Sequence, residues 1–202
     1  MRWPGLPAAR DGLRIGLLGG SFNPPHAGHR QISLMALKRL GLDAVWWLVT
    51  PGNPLKSHAD LAPLIERIRL AEAVGDHPRI HVTAVEADVG LSRTADTVRF
   101  LRARCPRTDF VWLMGADNLA GFTRWYRFRD IAAAVPFAVV NRPGSTLAAL
   151  NAPAAQLYAR YRLPEEDAPA LPGMRPPAWT FLHGPLSPLS STALRAATRK
   201  PG

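Results

Sequence analysis

Gly19-Gly20-Ser21-Phe22-Asn23-Pro24-Pro25-His26-Ala27-Gly28-His29 follows directly on an apolar run over 13–18, and this stretch decides the fold. A short run of Ile and Leu bounded by glycines predicts a buried strand. Segment 31–40 repeats its apolar residues at helical spacing and predicts a helix. The quoted stretch is therefore expected to be the loop between them, with Gly19 and Gly20 letting the backbone turn sharply and a ligand approach it.

The chemistry of this loop suits a polyphosphate. The start of the following helix offers free N–H groups and a partial positive charge to an anion. His26 and His29 stand three positions apart, so both are expected to face the mouth of the helix. No third ligand at a spacing suitable for zinc accompanies them, so the sequence predicts no metal held by protein side chains.

Further apolar runs predict an α/β fold. A second strand over 44–49 follows the first helix, and a strand, a helix and a strand at this spacing form a right-handed parallel unit. A helix over 61–74 is expected to have a purely structural role. Its apolar stripe consists of Leu64, Ile65, Ile68, Leu70 and Ala71. Later strands are predicted over 80–85, 110–114, 137–140 and 179–182. Together these elements predict a parallel sheet with helices on both faces.

Length and composition favour one globular domain over 1–202. The chain has 202 residues and a mass of 22.0 kDa, with 47% hydrophobic and 20% charged residues. Residues 1–12 are expected to form a loose N-terminal arm, and the Ala- and Pro-rich segment 145–177 a variable connection. One cysteine and the lack of an apolar run of membrane-spanning length favour a cytoplasmic protein without a membrane partner.

The net charge is the most conspicuous bulk property. It is +10 at pH 7, with a sequence pI near 11.1, and it favours anionic partners. The basic residues are spread along the chain without a basic tail or a familiar nucleic-acid module, so nucleic acid is not expected as a partner. The sequence leaves the oligomeric state open.

Three places in the middle of the chain are candidates for a structural or a ligand-binding role. Asp117 follows a predicted strand and is suited either to ligand contact or to capping a helix. The aromatic residues within 122–129 either cover the core or stack on a flat heterocycle. Thr94, or Ser92 before it, is expected to cap a helix over 94–104.

A second segment with a possible role in anion binding lies near the C-terminus. Leu189-Ser190-Ser191-Thr192-Ala193-Leu194-Arg195 is expected to open the last helix, with a hydroxyl as its cap. Arg195 would lie one turn inward from Ser191 on the same face, and a capping motif alone has no need of it. Two helix N-termini, one with imidazoles and one with a cation, are suited to hold a triphosphate from both sides.

Both segments resemble signatures of one enzyme superfamily. The stretch at 19–29 is similar to the first signature of nucleotidyltransferases with an (H/T)xGH motif, in the GSFNPPHxGH form of nicotinate-nucleotide adenylyltransferases. Segment 189–195 resembles their second signature, (I/L)SSTxxR, and follows about 160 residues later in the required order. The resemblance covers most of the chain outside the N-terminal arm and 145–177. It implies a Rossmann-like sheet of the nucleotidyltransferase type.

The resemblance also implies roles for individual residues. The implied catalytic residues are His26, His29 and Arg195. The implied ATP-binding residues are Gly19, Gly20, Ser21, Phe22, His26, His29, Asp117, Ser190, Ser191, Thr192 and Arg195. The implied contacts of the pyridine nucleotide are Lys56, Thr94, Asp117, Trp125 and Tyr126. The family often has tyrosine where Arg93 stands, so this chain departs from the pattern at the pyridine pocket.

The implied reaction is transfer of AMP from ATP to nicotinate mononucleotide, which gives nicotinate adenine dinucleotide and pyrophosphate in NAD biosynthesis. Mg²⁺ is implied as the cofactor, bound mainly through ATP because the chain shows no dedicated carboxylate cage. Three alternatives stay open: an enzyme acting on nicotinamide mononucleotide, a phosphopantetheine adenylyltransferase, and a nucleotide-binding protein without catalysis. The phosphopantetheine enzymes usually have threonine where His26 stands.

Overall fold

The computed structural model describes residues 5–52, 61–141 and 146–184 of the chain. Within these ranges it contains a sheet of seven strands, all parallel. The strands are β1 (Arg14–Gly20), β2 (Ala44–Val49), β3 (Ile80–Thr83), β4 (Asp109–Gly115), β5 (Phe137–Val140), β6 (Arg162–Leu163) and β7 (Trp179–Leu182). β2, β5 and β7 are buried along their whole length, as expected for parallel strands that helices cover on both faces.

Helices lie between the strands of the described ranges. The α-helices are α1 (Ala27–Arg39), α2 (Leu64–Val74), α3 (Val85–Asp88), α4 (Thr94–Arg104), α5 (Ala116–Gly121), α6 (Phe128–Ala134), α7 (Thr146–Leu150) and α8 (Pro153–Leu157). Three 3₁₀ helices cover Phe122–Arg124, Ala159–Tyr161 and Glu165–Gly173. No helix in this part of the chain is both long and apolar enough for a bilayer span. The alternation of strands and helices confirms the α/β class.

The order of the strands locates the ligand crevice. It is β3-β2-β1-β4-β5-β7-β6, so the chain first builds outward from β1 on one side and then from β4 on the other. The direction of winding reverses between β1 and β4. In open parallel sheets, ligands bind at the carboxyl ends of the strands where this reversal occurs. The segments that follow β1 and β4 are therefore the first places to search for a site.

Each face of the sheet has its own core. On one face, α4, α5, α6 and α8 pack on large side chains that include Trp46 and Trp112. On the other face, α1, α2 and the 3₁₀ helix Glu165–Gly173 pack on Trp47 and its neighbours. Adjacent residues of a strand point to opposite faces, so Trp46 and Trp47 enter different cores.

Several boundaries differ from those that the sequence patterns predict. β1 includes Gly19 and Gly20, which were expected in the following loop. β3 ends at Thr83, and a short helix, α3, begins at Val85 where the pattern continues the strand. α1 begins at Ala27 rather than at residue 31, so the histidines stand at its first turn.

Segment 146–177 is more regular than the expected variable connection. It contains α7, α8, two 3₁₀ helices and the strand β6, which pairs with β7 at the edge of the sheet. β6 has two residues, too few to give a periodic pattern. The 3₁₀ helix Glu165–Gly173 buries Ala168 and Leu171 against the sheet, although it carries two prolines.

Residues 5–12 contact the rest of the fold at defined points, in contrast to the loose arm expected there. Leu6 and Ala9 pack against the core. The Thr83 hydroxyl donates a hydrogen bond of 2.8 Å to the carbonyl of Gly5. Residues 1–4 lie outside the described ranges.

Candidate functional site

β1 ends beside a tryptophan of β4. A Cβ atom on Gly19 would lie 2.7 Å from the ring of Trp112, closer than real Cβ atoms come to other atoms. Packing across the sheet therefore requires glycine at this position. On Gly20 the corresponding atom would lie 3.4 Å from the ring of Phe22, which is an ordinary contact.

The turn after β1 is made by Phe22. Its φ is 46°, in the left-handed region that residues other than glycine rarely adopt. Its ring is 1% exposed, stacks on Trp47 with 5.0 Å between centroids and lies 4.7 Å from the ring of His29. Burial of the ring offsets the cost of the backbone conformation. The expectation that Gly19 and Gly20 make this turn is wrong.

His26 and His29 form a reciprocal cap at the start of α1. Nδ1 of His26 accepts a hydrogen bond from the amide of Gly28 at 3.1 Å, and Nδ1 of His29 accepts one from the amide of His26 at 3.3 Å. The ring centroids lie 3.9 Å apart, and His26 is 5% exposed. A ring nitrogen that accepts carries no proton, so each neutral imidazole has its proton on Nε2. Each ring thus has an Nε2–H group that can donate a hydrogen bond to a phosphate oxygen.

A hydrogen-bonded chain from β2 supports this cap. Nε1 of Trp47 donates to the Ser33 hydroxyl at 2.7 Å, and that hydroxyl donates to the carbonyl of His29 at 2.9 Å. The rings of Trp47 and His29 also lie 5.9 Å apart. The strand beside β1 therefore fixes the position of the first turn of α1.

Arg67 of α2 lies under the loops that follow β1 and β2. Its side chain is 1% exposed and donates to four backbone carbonyls. The acceptors are the carbonyls of Ser21 at 2.7 Å, Thr50 at 2.8 Å, Ala62 at 2.9 Å and Pro51 at 3.2 Å. Burial lowers the pKa of Arg67, but a guanidinium stays charged at neutral pH. A helix expected to be purely structural thus brings a buried cation to the β1–α1 loop (residues 21–26).

On the other side of the winding reversal, β4 runs straight into α5. Gly115 is the N-cap residue of α5, and Asp117 stands exposed in its first turn. The interpretation of Asp117 as the helix cap is therefore wrong. Because β1 and β4 are neighbours, Asp117 and the β1–α1 loop share the carboxyl edge of the sheet.

The start of α4 meets the aromatic segment that follows α5. Arg93 is the N-cap residue of α4 and Thr94 its first residue, and the helix has no side-chain cap, contrary to the expectation for Thr94 or Ser92. The guanidinium of Arg93 lies over the ring of Tyr126, 4.3 Å from its centroid. This contact joins the residue before Thr94 to Tyr126, so the start of α4 and the segment after α5 meet here.

Trp125 is half-buried and is held edge-on by two other rings. Its centroid lies 5.4 Å from that of Phe122 at 82° and 6.3 Å from that of Trp112 at 89°. The ring of Trp112 is also the one that leaves no space for a side chain at Gly19. Phe122 is fully buried, whereas Tyr126 is 47% exposed. The aromatic segment therefore both covers the core and reaches the surface.

A buried carboxylate lies behind the start of α4. Glu86 of α3 is 5% exposed, and its Oε1 accepts a hydrogen bond from the Thr97 hydroxyl at 2.8 Å. Its Oε2 has no hydrogen-bond partner in the described part of the chain. Burial raises the pKa of Glu86, because it disfavours the charged form. Through Thr97, Glu86 ties α3 to the N-terminal part of α4.

Comparison with known proteins assigns this architecture to a family. The cytidylyltransferase-like family model matches residues 17–197. A relative from Mesorhizobium japonicum, named "Probable nicotinate-nucleotide adenylyltransferase", is 54% identical over 190 residues, which are 94% of this chain and 97% of the relative. A relative of the same name from Methylorubrum extorquens is 59% identical over 183 residues, 91% of this chain and 99% of the relative. The chain belongs to the nicotinate-nucleotide adenylyltransferase family.

Solved structures of other proteins share the fold of this chain. The nicotinic acid mononucleotide adenylyltransferase of Plasmodium falciparum, in complex with NaAD, has a TM-score of 0.67 at 15% identity and covers 90% of this chain and 82% of its own. The same protein in complex with APC has a TM-score of 0.65 at 14% identity, and the match covers 91% of this chain and 83% of that protein's chain. These similarities confirm the Rossmann-like sheet of the nucleotidyltransferase type.

Part of the site that the family resemblance implies lies outside the described residues. This part consists of Lys56, Ser190, Ser191, Thr192 and Arg195, whose roles stay predictions. The described residues come together in two groups at the carboxyl edge of the sheet. One group is the β1–α1 loop with both histidines, and the other is the start of α4, where Arg93, the neighbour of Thr94, lies over the ring of Tyr126.

In this nicotinate-nucleotide adenylyltransferase family member, the role of Arg67 under the loops is not among the predictions from the sequence, although the pattern of α2 contains a signal for its burial. Leu64, Arg67 and Ile68 follow one another at helical spacing, so the arginine stands on the buried face of α2. Ile65, which was expected in the apolar stripe, is instead 47% exposed.

Trp47 and Asn23 are two further parts of the framework that no local pattern indicates. Trp46 and Trp47 both lie in a strand buried on both faces, so the sequence does not show which tryptophan supports the histidines. Asn23 holds the β1–α1 loop to the chain before α2, because its Oδ1 accepts from the amide of Ala62 at 3.3 Å.

Proposed function

We propose that this chain transfers AMP from ATP to nicotinate mononucleotide, forming nicotinate adenine dinucleotide and pyrophosphate in NAD biosynthesis. Relatives at 54% and 59% identity carry the name of this activity over nearly their whole length. The structural observation that carries the proposal is the pair of imidazoles at the start of α1. Both have Nδ1 engaged by the backbone, and both stand beside the reversal of the strand order.

The reaction requires alignment and charge stabilisation, without a protein nucleophile. The attacking group is the phosphate of nicotinate mononucleotide, an oxyanion at neutral pH, so no strong general base is required. Its oxygen bonds to the α-phosphorus of ATP while the bond from that phosphorus to the bridging oxygen breaks. The electron pair leaves with pyrophosphate, and negative charge builds on the α-phosphoryl and leaving oxygens. Donors held in place for these oxygens lower the barrier.

The β1–α1 loop and the start of α1 supply such donors in this proposal. Nε2 of His29 and of His26 donates to phosphate oxygens, and the backbone of Ser21 and Phe22 lines the α-phosphate. The N-terminus of the 13-residue helix α1 adds N–H groups and partial positive charge. Arg195 is the proposed cation for the leaving phosphates. The proposed hydroxyl ligands beside it are Ser190, Ser191 and Thr192.

The pyridine nucleotide is proposed to bind at the start of α4. Thr94 stands in the first turn of this 11-residue helix, where N–H groups favour a carboxylate over a neutral amide. Trp125 is the proposed stacking surface for the pyridine ring, and the backbone of Tyr126 the proposed contact of the carboxylate. Asp117 is assigned to the ribose or the junction of the two nucleotides, and Lys56 to a phosphate.

Mg²⁺ is the proposed metal and arrives with ATP. Over residues 5–52, 61–141 and 146–184, no group of three or more His, Cys, Asp or Glu side chains is placed to hold a metal ion. In this proposal phosphate oxygens of ATP and water hold the ion. When bound, the ion neutralises part of the phosphate charge.

ATP and nicotinate mononucleotide are the proposed partners, and the cytoplasm is the proposed compartment. The formal charge of +10 favours the approach of anionic nucleotides. Cys105 has a free thiol, which is the form that a reducing compartment maintains.

The test is pyrophosphate release from ATP and Mg²⁺ with three acceptors at matched concentrations: nicotinate mononucleotide, nicotinamide mononucleotide and phosphopantetheine. We expect the first acceptor to react much faster than the second and the third to be inactive. Equal rates with both pyridine nucleotides would refute selection for the acid. Release with phosphopantetheine only, or no release with any of the three acceptors, would refute the proposed function.

A further inference from the structure

Arg67 makes contacts that a residue with a packing role alone does not need. Nη1 donates to the carbonyls of Ser21 and Thr50 at 2.7 and 2.8 Å, and Nε donates to the carbonyl of Ala62 at 2.9 Å. The side chain is 1% exposed, and no carboxylate in the described ranges forms an ion pair with it. A buried cation without a carboxylate depends on the dipoles around it, so these carbonyls are held firmly in place.

One of these contacts sets the direction of a backbone N–H in the proposed site. The carbonyl of Ser21 and the N–H of Phe22 belong to the same peptide group. That peptide is trans, since the cis bonds in the described residues precede Pro24 and Pro177. In a trans peptide the C=O and N–H point in opposite directions. With its carbonyl on Arg67, the peptide turns the N–H of Phe22 away from the guanidinium. A charged donor on the carbonyl also strengthens the hydrogen bond that this N–H makes.

The backbone at Phe22 needs such support. Its φ of 46° is uncommon for a residue with a side chain, and a rotation of the preceding peptide would change that angle. On the C-terminal side of Phe22, Oδ1 of Asn23 accepts a hydrogen bond from the amide of Ala62. The carbonyl of Ala62 in turn accepts a hydrogen bond from Nε of Arg67. The turn is therefore held on one side by Arg67 of α2 and on the other by Ala62, which precedes that helix.

We propose that Arg67 is a positioning residue for phosphoryl transfer: it holds the Ser21–Phe22 peptide so that the N–H of Phe22 donates to a non-bridging oxygen of the α-phosphate of ATP. The inference rests on the proposed function, because it takes ATP as the ligand of the β1–α1 loop. Arg67 acts through the backbone and does not touch the nucleotide.

Two variants separate this role from general support of the fold. Arg67→Lys keeps the charge but replaces a planar fork of five donors by three donors on one nitrogen, so it cannot hold the same carbonyls in the same directions. Arg69→Lys is the matched control, since Arg69 is an exposed arginine on the same helix. Both variants are compared with the wild type at a temperature at which circular dichroism shows all three folded.

The readout is the affinity for ATP and for the two diastereomers of its α-thiophosphate analogue, measured by titration calorimetry with Mg²⁺. Sulfur is a weak acceptor, so the diastereomer that points its sulfur at the N–H of Phe22 binds the wild type more weakly than ATP does. We expect Arg67→Lys to reduce that penalty about fivefold, the size of one net hydrogen bond, and to leave the other diastereomer's penalty unchanged. Arg69→Lys should leave the affinity penalties of both diastereomers at their wild-type values. Equal weakening of all three ligands, or no change, would overturn the inference.

Amide NMR of the wild type covers the case in which Arg67→Lys does not fold. The Phe22 amide proton should move downfield when ATP saturates the protein, and an unmoved signal would overturn the inference. Turnover is measured separately. A wild-type chain that binds ATP with the expected thio effects but releases no pyrophosphate would refute the proposed function, and with it a role of Arg67 in transfer, while the orientation of the Phe22 N–H toward the α-phosphate would stand.

Discussion

At the scale of single residues, the two histidines combine a structural and a chemical role on different atoms. In each ring Nδ1 closes the cap of α1, so the neutral ring carries its proton on Nε2. A substitution can therefore remove one role and keep the other. Asparagine is a favourable N-cap residue whose carbonyl oxygen can replace Nδ1, but it has no atom at the place of Nε2.

Replacing His26 by Asn should preserve the fold and impair turnover. We expect kcat to fall roughly 10²-fold, because one fixed donor to the phosphates is lost, while Tm stays close to the wild-type value. His26→Ala should lose the same turnover and in addition about 1 kcal/mol of stability, because the cap is lost as well. Pyrophosphate release and thermal melts measure the two effects. Near-normal kcat in the Asn variant would contradict the donor role, and equal stabilities of the two variants would contradict the cap role.

Arg93 places a positive charge beside the proposed site of the pyridine carboxylate. It is the N-cap residue of α4, and its guanidinium lies 4.3 Å from the ring centroid of Tyr126. Arg93→Gln should lower the preference for nicotinate over nicotinamide mononucleotide about fivefold, the scale of one exposed charge pair. The ratio of kcat/KM for the two substrates measures this change. Arg93→Lys keeps the charge and should keep most of the preference. Equal losses in both variants would show that the contact with Tyr126 decides instead.

Residues differ in how far the sequence alone predicts their roles. His26 and His29 belong to a local motif and cap the helix that they begin, so their neighbourhood is visible in the sequence. Arg67 meets carbonyls 46 and 17 positions away, those of Ser21 and Thr50. No local pattern contains these contacts, because they arise when α2 docks on the sheet.

At the scale of elements, β1 and β4 constrain each other's residues where they meet. The ring of Trp112 fills the space that a side chain at position 19 would need, whereas position 20 has room. Gly19→Ala should therefore lower the free energy of unfolding by about 1–3 kcal/mol, as overpacked cores do. Gly20→Ala is the matched control and should change it by less than about 0.5 kcal/mol. Urea titrations with unchanged m-values measure both, and equal effects would contradict the packing argument.

The sequence predicts those elements best that have an apolar pattern of their own. β2 and β7 have the predicted bounds, Ala44–Val49 and Trp179–Leu182. β6 has no such pattern, because its two residues become a strand through pairing with β7. Local information favours glycines for the turn after β1, because their conformational freedom is visible in the sequence. The left-handed backbone of Phe22 instead depends on burial of its ring against Trp47 and His29.

At the scale of the whole molecule, two carboxylates give stability opposite dependences on pH. Glu165 joins α1, its own 3₁₀ helix and the end of β7: it lies 2.6 Å from Nη2 of Arg39 and 2.7 Å from Nδ1 of His183. Desolvation alone would raise its pKa, but the hydrogen bonds from His183 and Arg39 outweigh it and lower the pKa. For Glu86, burial raises the pKa.

Replacing Glu165 by Gln should destabilise the protein at neutral pH and lose its effect in acid. Because the folded-state pKa of Glu165 is lowered from its ordinary value of 4.5, its contribution is present above that value and disappears as pH falls through the folded-state pKa. We expect a loss of at most about 1 kcal/mol at pH 7, since Arg39 is half exposed. The melting temperatures of the variant and the wild type should begin to converge as pH falls below about 4.5 and should coincide below the folded-state pKa. A difference in Tm that persists in acid would show that packing, and not charge, accounts for it.

Replacing Glu86 by Gln should act in the reverse direction. Glutamine keeps an acceptor for the Thr97 hydroxyl but cannot ionise. Because the folded-state pKa of Glu86 is raised, the native protein holds a proton that the unfolded chain releases above about 4.5, and wild-type stability falls as pH rises through the folded-state value. The difference in Tm, variant minus wild type, should therefore increase with pH, by about 2–4 °C for each kcal/mol involved. The Glu165→Gln series in the same buffers is the control, since its difference must run the other way. A flat Glu86→Gln difference would mean that the buried carboxylate is as easily ionised in the fold as in the unfolded chain.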